Sequence, residues 1–117
     1  MSPRTDRPAR RSVALTENAP IFAALGDATR LRLVITLCAS GALSIAQLTA
    51  GTAITRQAVT KHLEILADAG LVHDLRSGRE RLWEFDPSRL DKARQALDAV
   101  SADWGRALSR LKRFVED

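Results

Sequence analysis

Cysteine is nearly absent: the chain holds one, Cys38, in 117 residues. No disulfide can form within it, which excludes a stapled secreted scaffold and points to a reducing, cytoplasmic compartment. Histidine occurs only at His62 and His73. Thiolate and imidazole are what zinc-like ions demand, usually four ligands together, and positions 38, 62 and 73 do not make such a set. No metal and no cofactor is expected. No apolar run reaches the ~18 residues of a membrane span. The Arg-rich start lacks the apolar stretch of a secretory signal, and Pro3, Asp6 and Pro8 work against the amphipathic helix of a transit peptide. A glycine-rich phosphate loop, a nucleophile motif and a helix-spaced carboxylate pair are also missing, so an enzyme is not expected.

What is present suits one small globular domain: 45% apolar and 27% charged residues, close to ordinary proportions. Eighteen basic residues against fourteen acidic give a net charge of +4. Most of the basic residues are arginine, whose planar fork suits phosphate and base edges better than lysine does. Residues 1–17 carry Arg4, Arg7, Arg10 and Arg11 without periodicity and read as a flexible basic arm. Residues 18–117 read as the folded domain.

The expected fold is mainly α with a small β-ribbon, about five helices and a two-stranded wing. A short helix fits Ala19–Leu25, ended by Gly26. Asp27 is placed to cap a second helix running to about Ser40. On it Leu31, Val34, Ile35 and Cys38 recur at i, i+3, i+4, i+7, which predicts one buried face with Cys38 as a buried thiol. Ser44 and Gln47 form a capping box opening a short third helix. Thr55 caps a fourth helix from Arg56 to about Ala69, and Gly70 ends it. Two short helices joined by about four residues, the second capped and longer, have the layout of a helix-turn-helix. A ribbon follows, from Leu71 to about Arg76 and from Arg81 to Phe85, turning at Ser77-Gly78-Arg79.

At ~100° per residue the fourth helix splits in two. Arg56, Gln57, Thr60 and Lys61 occupy one side near the N-terminus; Val59, Leu63 and Leu66 occupy the other. The polar side chains can donate and accept at base edges in a major groove, and the helix start offers free N–H groups to a phosphate. Thr55 is placed to reach a phosphate as well as to cap. Arg76, Arg79 and Arg81 would anchor the ribbon on the sugar-phosphate backbone or in the minor groove. An ordinary solvated helix face and hairpin is the plain alternative. His62 falls on the inner flank, as a packed histidine or a phosphate contact.

The last helix is the most regular stretch. Leu90, Leu97, Trp104 and Leu111 recur every seven residues, and so do Ala93, Val100, Ala107 and Phe114. That a/d pattern spans about four heptads. Leu90, Leu97, Val100, Trp104, Leu111 and Phe114, with Leu108 beside them, are therefore expected in a seam with a second copy, packing on the chain's own core being the alternative.

Taken together, Leu25-Gly26-Asp27-Ala28-Thr29-Arg30-Leu31-Arg32-Leu33, Thr55-Arg56-Gln57-Ala58-Val59-Thr60-Lys61-His62-Leu63, Ala69-Gly70-Leu71-Val72 and Arg76-Ser77-Gly78-Arg79 resemble ArsR-type winged helix-turn-helix regulators. The resemblance covers about residues 19–116. The ending, with Trp104-Gly105-Arg106-Ala107-Leu108, is similar to a subgroup with a Trp in the last helix and no metal ligands. Ala53 and Ala28 stand where the family often has glycine and proline. The resemblance implies a homodimer that binds a palindromic double-stranded DNA operator and represses neighbouring genes, with the fourth helix in the major groove and the first and last helices, Phe22 among their residues, building the dimer. Two alternatives stay open: a sensor that releases DNA on binding a small-molecule effector between the last helices, or on a metal or redox signal, and a helical dimerisation module that binds no DNA.

Overall fold

Three side-chain caps set where the helices begin. In the computed structural model, which describes Arg10 and residues 13–116, Asp27 accepts from Arg30 N, Ser44 from Gln47 N and Thr55 from Ala58 N. Each satisfies one of the N–H groups that a helix start leaves unpaired. At Ser44 the box is reciprocal, Gln47 Oε1 accepting from Ser44 N at 2.9 Å. The elements follow in the order Ala19–Leu25 (α1), Ala28–Ser40 (α2), Leu43–Ser44 (β1), Ile45–Ala50 (α3), Arg56–Asp68 (α4), Val72–Ser77 (β2), Glu80–Phe85 (β3) and Pro87–Glu116 (α5).

The described residues fall into two compact units, Pro20–Leu90 and a second formed from those before Pro20 and those after Leu90. In the first, α2, α3 and α4 pack with a small antiparallel sheet. The sheet has three strands in the order β1-β3-β2. The sequence predicts only the ribbon β2–β3. The added strand, β1, is two residues long and pairs Leu43 with Trp83. Between β2 and β3 the register runs from Val72↔Phe85 to Ser77↔Glu80. That leaves a two-residue turn, Gly78-Arg79, with Gly78 at φ 64°, the glycine-first pattern of a II′ hairpin. Leu37, Val59, Leu63, Leu66, Leu71 and Trp83 are the large side chains at the centre of the core.

The buried face of α2 differs from the expected one. Leu33, Val34 and Leu37 are buried, while Leu31, Ile35 and Cys38 are exposed. The face is turned by about one residue, ~100°. α2 is apolar on most of its circumference, so several i, i+3, i+4 sets compete. Packing against α4 and β3, not periodicity, decides which set goes inside. Cys38 is accordingly a surface thiol.

In the second unit, residues 13–17 are helical and Asn18 closes that turn, its Nδ2 donating to Ala14 O at 2.6 Å. Part of the expected arm is thus helix; Arg10 apart, its earlier residues lie outside the described ones. α5 runs unbroken through Gly105. Arg94 sits between Asp91 and Asp98, at 2.9 and 2.8 Å.

The end of α4 is a Schellman motif: Leu71 N bonds Leu66 O and Gly70 N bonds Ala67 O, both at 2.9 Å. Gly70 has φ 79°, and a Cβ there would run into the Arg89 side chain. Gly70→Ala should therefore cost roughly 1–2 kcal/mol for the left-handed backbone. A urea midpoint lowered at unchanged slope is the expected result; an unchanged midpoint would contradict it.

Candidate nucleic-acid interface

The inner side of α4 holds the helix in place: Val59, Leu63 and Leu66 are fully buried. Its outer side therefore cannot turn inward without exposing three apolar side chains, each worth roughly 1.5–3 kcal/mol. Arg56, Gln57 and Lys61 are exposed. Thr60 is half-buried, and its hydroxyl donates to Arg56 O at 2.9 Å. Arg56, Gln57, Thr60 and Lys61 come together along one open groove of about 600 Å³. Two residues outside the expected set share it, Ile45 at the start of α3 and Glu64 one turn further along α4. Ile45 follows the Ser44 cap directly, and that position was its only sequence signal. Thr55 is exposed at the helix start, its hydroxyl oxygen held by Ala58 N at 3.1 Å.

The wing arginines are not equivalent. Arg76 and Arg79 are exposed and make no ion pair among the described residues. Arg81 is engaged within the wing: its Nε donates to Asp74 Oδ2 at 2.8 Å, and its guanidinium lies 4.7 Å from the Trp83 ring centroid. Arg76 and Arg81 are cross-strand partners, an unfavourable pairing of like charges that Asp74 offsets.

Behind the groove, the α1–α2 corner meets the inner flank of α4. Arg30 Nε donates to Ala24 O at 2.7 Å, satisfying a carbonyl in the last turn of α1. Its Nη1 is 3.5 Å from His62 Nδ1, which is also 3.9 Å from Asp27 Oδ2. His62 is half-buried and faces this inner corner. His73 lies on β2, exposed, 3.0 Å from Glu84 and 3.6 Å from Asp86. Among the described residues no three His, Cys, Asp or Glu groups converge as a metal site, and no helix is long and apolar enough to cross a membrane.

The residues expected in a seam divide by exposure. Phe22, Leu90 and Val100 are half-buried, while Leu97, Trp104, Leu108, Leu111 and Phe114 are exposed. Trp104 is 58% exposed and Phe114 81%, so much of the apolar side of α5 lies uncovered in the single chain.

Residues 25–74 match a family model described as a helix-turn-helix domain. Over 93 residues the chain is 34% identical to the HTH-type transcriptional regulator Rv2034 of Mycobacterium tuberculosis, covering 80% of this chain and 83% of that protein. It is 42% identical over 72 residues to the uncharacterized HTH-type transcriptional regulator YuzN of Bacillus subtilis, covering 56% of this chain and 78% of that one. Among solved structures it is similar to an ArsR-like transcriptional regulator from Rhodococcus sp. RHA1, at 33% identity, covering 85% of this chain and 92% of that one, with a TM-score of 0.69.

The corner behind α4 should be acid-sensitive. The hydrogen bond from Arg30 N holds the Asp27 carboxyl below the ordinary aspartate range; desolvation opposes it, and the Arg30 charge and His62 add to the lowering. A depressed native value means the unfolded chain binds this proton first as the pH falls. The stability Asp27 contributes is complete above about pH 4 and is lost below it. Asp27→Asn should be less stable than the parent at pH 7, with the difference shrinking toward pH 3 in denaturant titrations; a constant difference would contradict this.

Proposed function

The chain belongs to the ArsR family of winged helix-turn-helix transcriptional regulators, and from that premise we propose that it is a homodimer that binds an inverted-repeat operator and represses neighbouring genes. One observation carries the reading: Arg56, Gln57 and Lys61 stand exposed on a helix whose opposite side is locked into the core. In this account α4 enters the major groove. Arg56 and Lys61 meet phosphates or guanine edges, and Gln57 reads a base edge with its paired donor and acceptor. Thr60, its hydroxyl proton committed to the backbone, offers its methyl group and an acceptor. Thr55 presents its end of the helix to a phosphate. Arg76 and Arg79 track the backbone beside the groove. Arg81 keeps the wing rigid through Asp74 and Trp83, and reaches DNA less directly than its two neighbours.

Dimerisation supplies the second half. The uncovered row Leu97, Trp104, Leu108, Leu111 and Phe114 is what a second copy of α5 would bury, with Leu90, Val100 and Phe22 at its margins. A two-fold pair presents two α4 helices one turn of B-DNA apart, ~34 Å.

Fluorescence anisotropy against the chain's own upstream region and a random duplex of equal length tests the division of labour. Gln57→Ala should lose ~1–3 kcal/mol on the target and little on the random duplex. Arg79→Ala should weaken both alike and reduce the salt slope by about 1. Equal losses on both duplexes for both variants would refute the assignment. For the seam, the parent should sediment at twice its 12.8 kDa chain mass and Leu108→Glu as a single chain. A monomeric parent at micromolar concentration would remove the dimer from the account.

A further inference from the structure

Beside the helix-turn-helix lies a groove that DNA reading leaves unused. It measures about 440 Å³ and is walled by α2 on one side, and by α3 and the connection to α4 on the other. That volume falls within the ~300–1,000 Å³ of small-molecule sites. Its walls are mainly apolar, formed by Leu33, Ile35, Leu48 and Ile54 among others. Leu33 and Leu48 are core residues, whereas Ile35 is 58% exposed and unpartnered. The groove has one charged lining residue, Arg32, and no acidic one. Arg32 is exposed, and its guanidinium makes no hydrogen bond or ion pair among the described residues. The Thr29 hydroxyl is likewise uncommitted, while that of Thr36 already donates to Arg32 O.

Three other concavities among the described residues do not share this combination. The one along α4 mixes Arg56 and Lys61 with Glu64 and is the proposed reading face. The one behind α1 sets Asp68 against Arg30, whose guanidinium is already bonded to Ala24 O. The depression beside Arg106, Arg110 and Arg113 has a single helix for a wall.

We propose that the groove between α2 and the α3–α4 connection binds a small apolar carboxylate, its hydrocarbon body against Ile35, Leu48 and Ile54 and its carboxylate on Arg32. A guanidinium matches two carboxylate oxygens with two parallel N–H bonds. An apolar trough with one free cation at its wall selects a monoanion with a hydrophobic tail over inorganic phosphate, which would leave that trough empty. Ile54 directly precedes Thr55, the cap of α4. A ligand packed on Ile54 therefore touches the segment that sets the start of the reading helix, and the site is placed to act as an effector site. Binding itself does not depend on the DNA reading and is measured without DNA, so either can fail alone.

The test is calorimetry on the full chain with 4-phenylbutyrate, 4-phenylbutan-1-ol and inorganic phosphate, together with amide NMR shifts. The acid should bind about tenfold or more tighter than the alcohol, phosphate should give no heat, and the shifts should cluster at residues 29–36 and 51–54. Arg32→Gln should bring the acid to the level of the alcohol, and Thr36→Trp, which fills the groove from an exposed position, should abolish both. The proposal is overturned if acid and alcohol bind equally, if phosphate matches the acid, or if the shifts fall elsewhere. It is also overturned if no probe binds and Ile35→Glu lowers the sedimenting mass, because a second copy of the chain then covers the groove.

Discussion

The burial of Val59, Leu63 and Leu66 is the constraint on which the rest of the molecule depends. These three side chains fix the rotation of α4 about its own axis. A turn of one residue would withdraw Val59, Leu63 and Leu66 and put Thr60, Glu64 and Ala67 in their place, at a cost of several kcal/mol. Domains of this size are stable by only ~5–15 kcal/mol, so no alternative rotation competes. The polar row from Arg56 to Lys61 is presented outward as a consequence. Thr55 and the Schellman turn at Gly70 then fix the two ends of the helix. Because Leu71 leaves that turn directly for β2, the wing is tied to the same helix that carries the reading row.

A second feature is α5, on which Leu97, Trp104, Leu108, Leu111 and Phe114 are exposed. The seven-residue spacing makes this row continuous along α5. Recognition of an inverted repeat needs two reading heads in fixed relation, and a long apolar helix is a direct way to obtain a two-fold pair. In the proposed dimer the polar row of α4 and the apolar row of α5 answer that one demand. Ion pairs such as Arg94 with Asp91 and Asp98 are exposed and add little to stability; they keep the outer side of α5 soluble.

Local signals were legible in the sequence and non-local ones were not. The caps at Asp27, Ser44 and Thr55 depend on residues three apart, and all three form. α4 was legible because its polar and apolar residues separate cleanly. α2 was not, because apolar residues surround it and only its packing against α4 and β3 selects Leu33, Val34 and Leu37. β1 is too short for any pattern and exists only through its pairing with Trp83. The convergence of Ile45 with the α4 row depends on how two helices cross. The pairing of Arg81 with Asp74 depends on strand register, so the three wing arginines look alike in sequence and differ in the fold.

In vitro selection of duplexes from a random pool by the full-length protein tests the central claim most directly, since the pool offers every half-site and every spacing at once. A pair of outward-facing α4 helices related by two-fold symmetry should enrich an inverted repeat whose half-sites lie about 10 base pairs apart, centre to centre. A pool that stays random after repeated rounds, or that converges on a single unrepeated element, would contradict it.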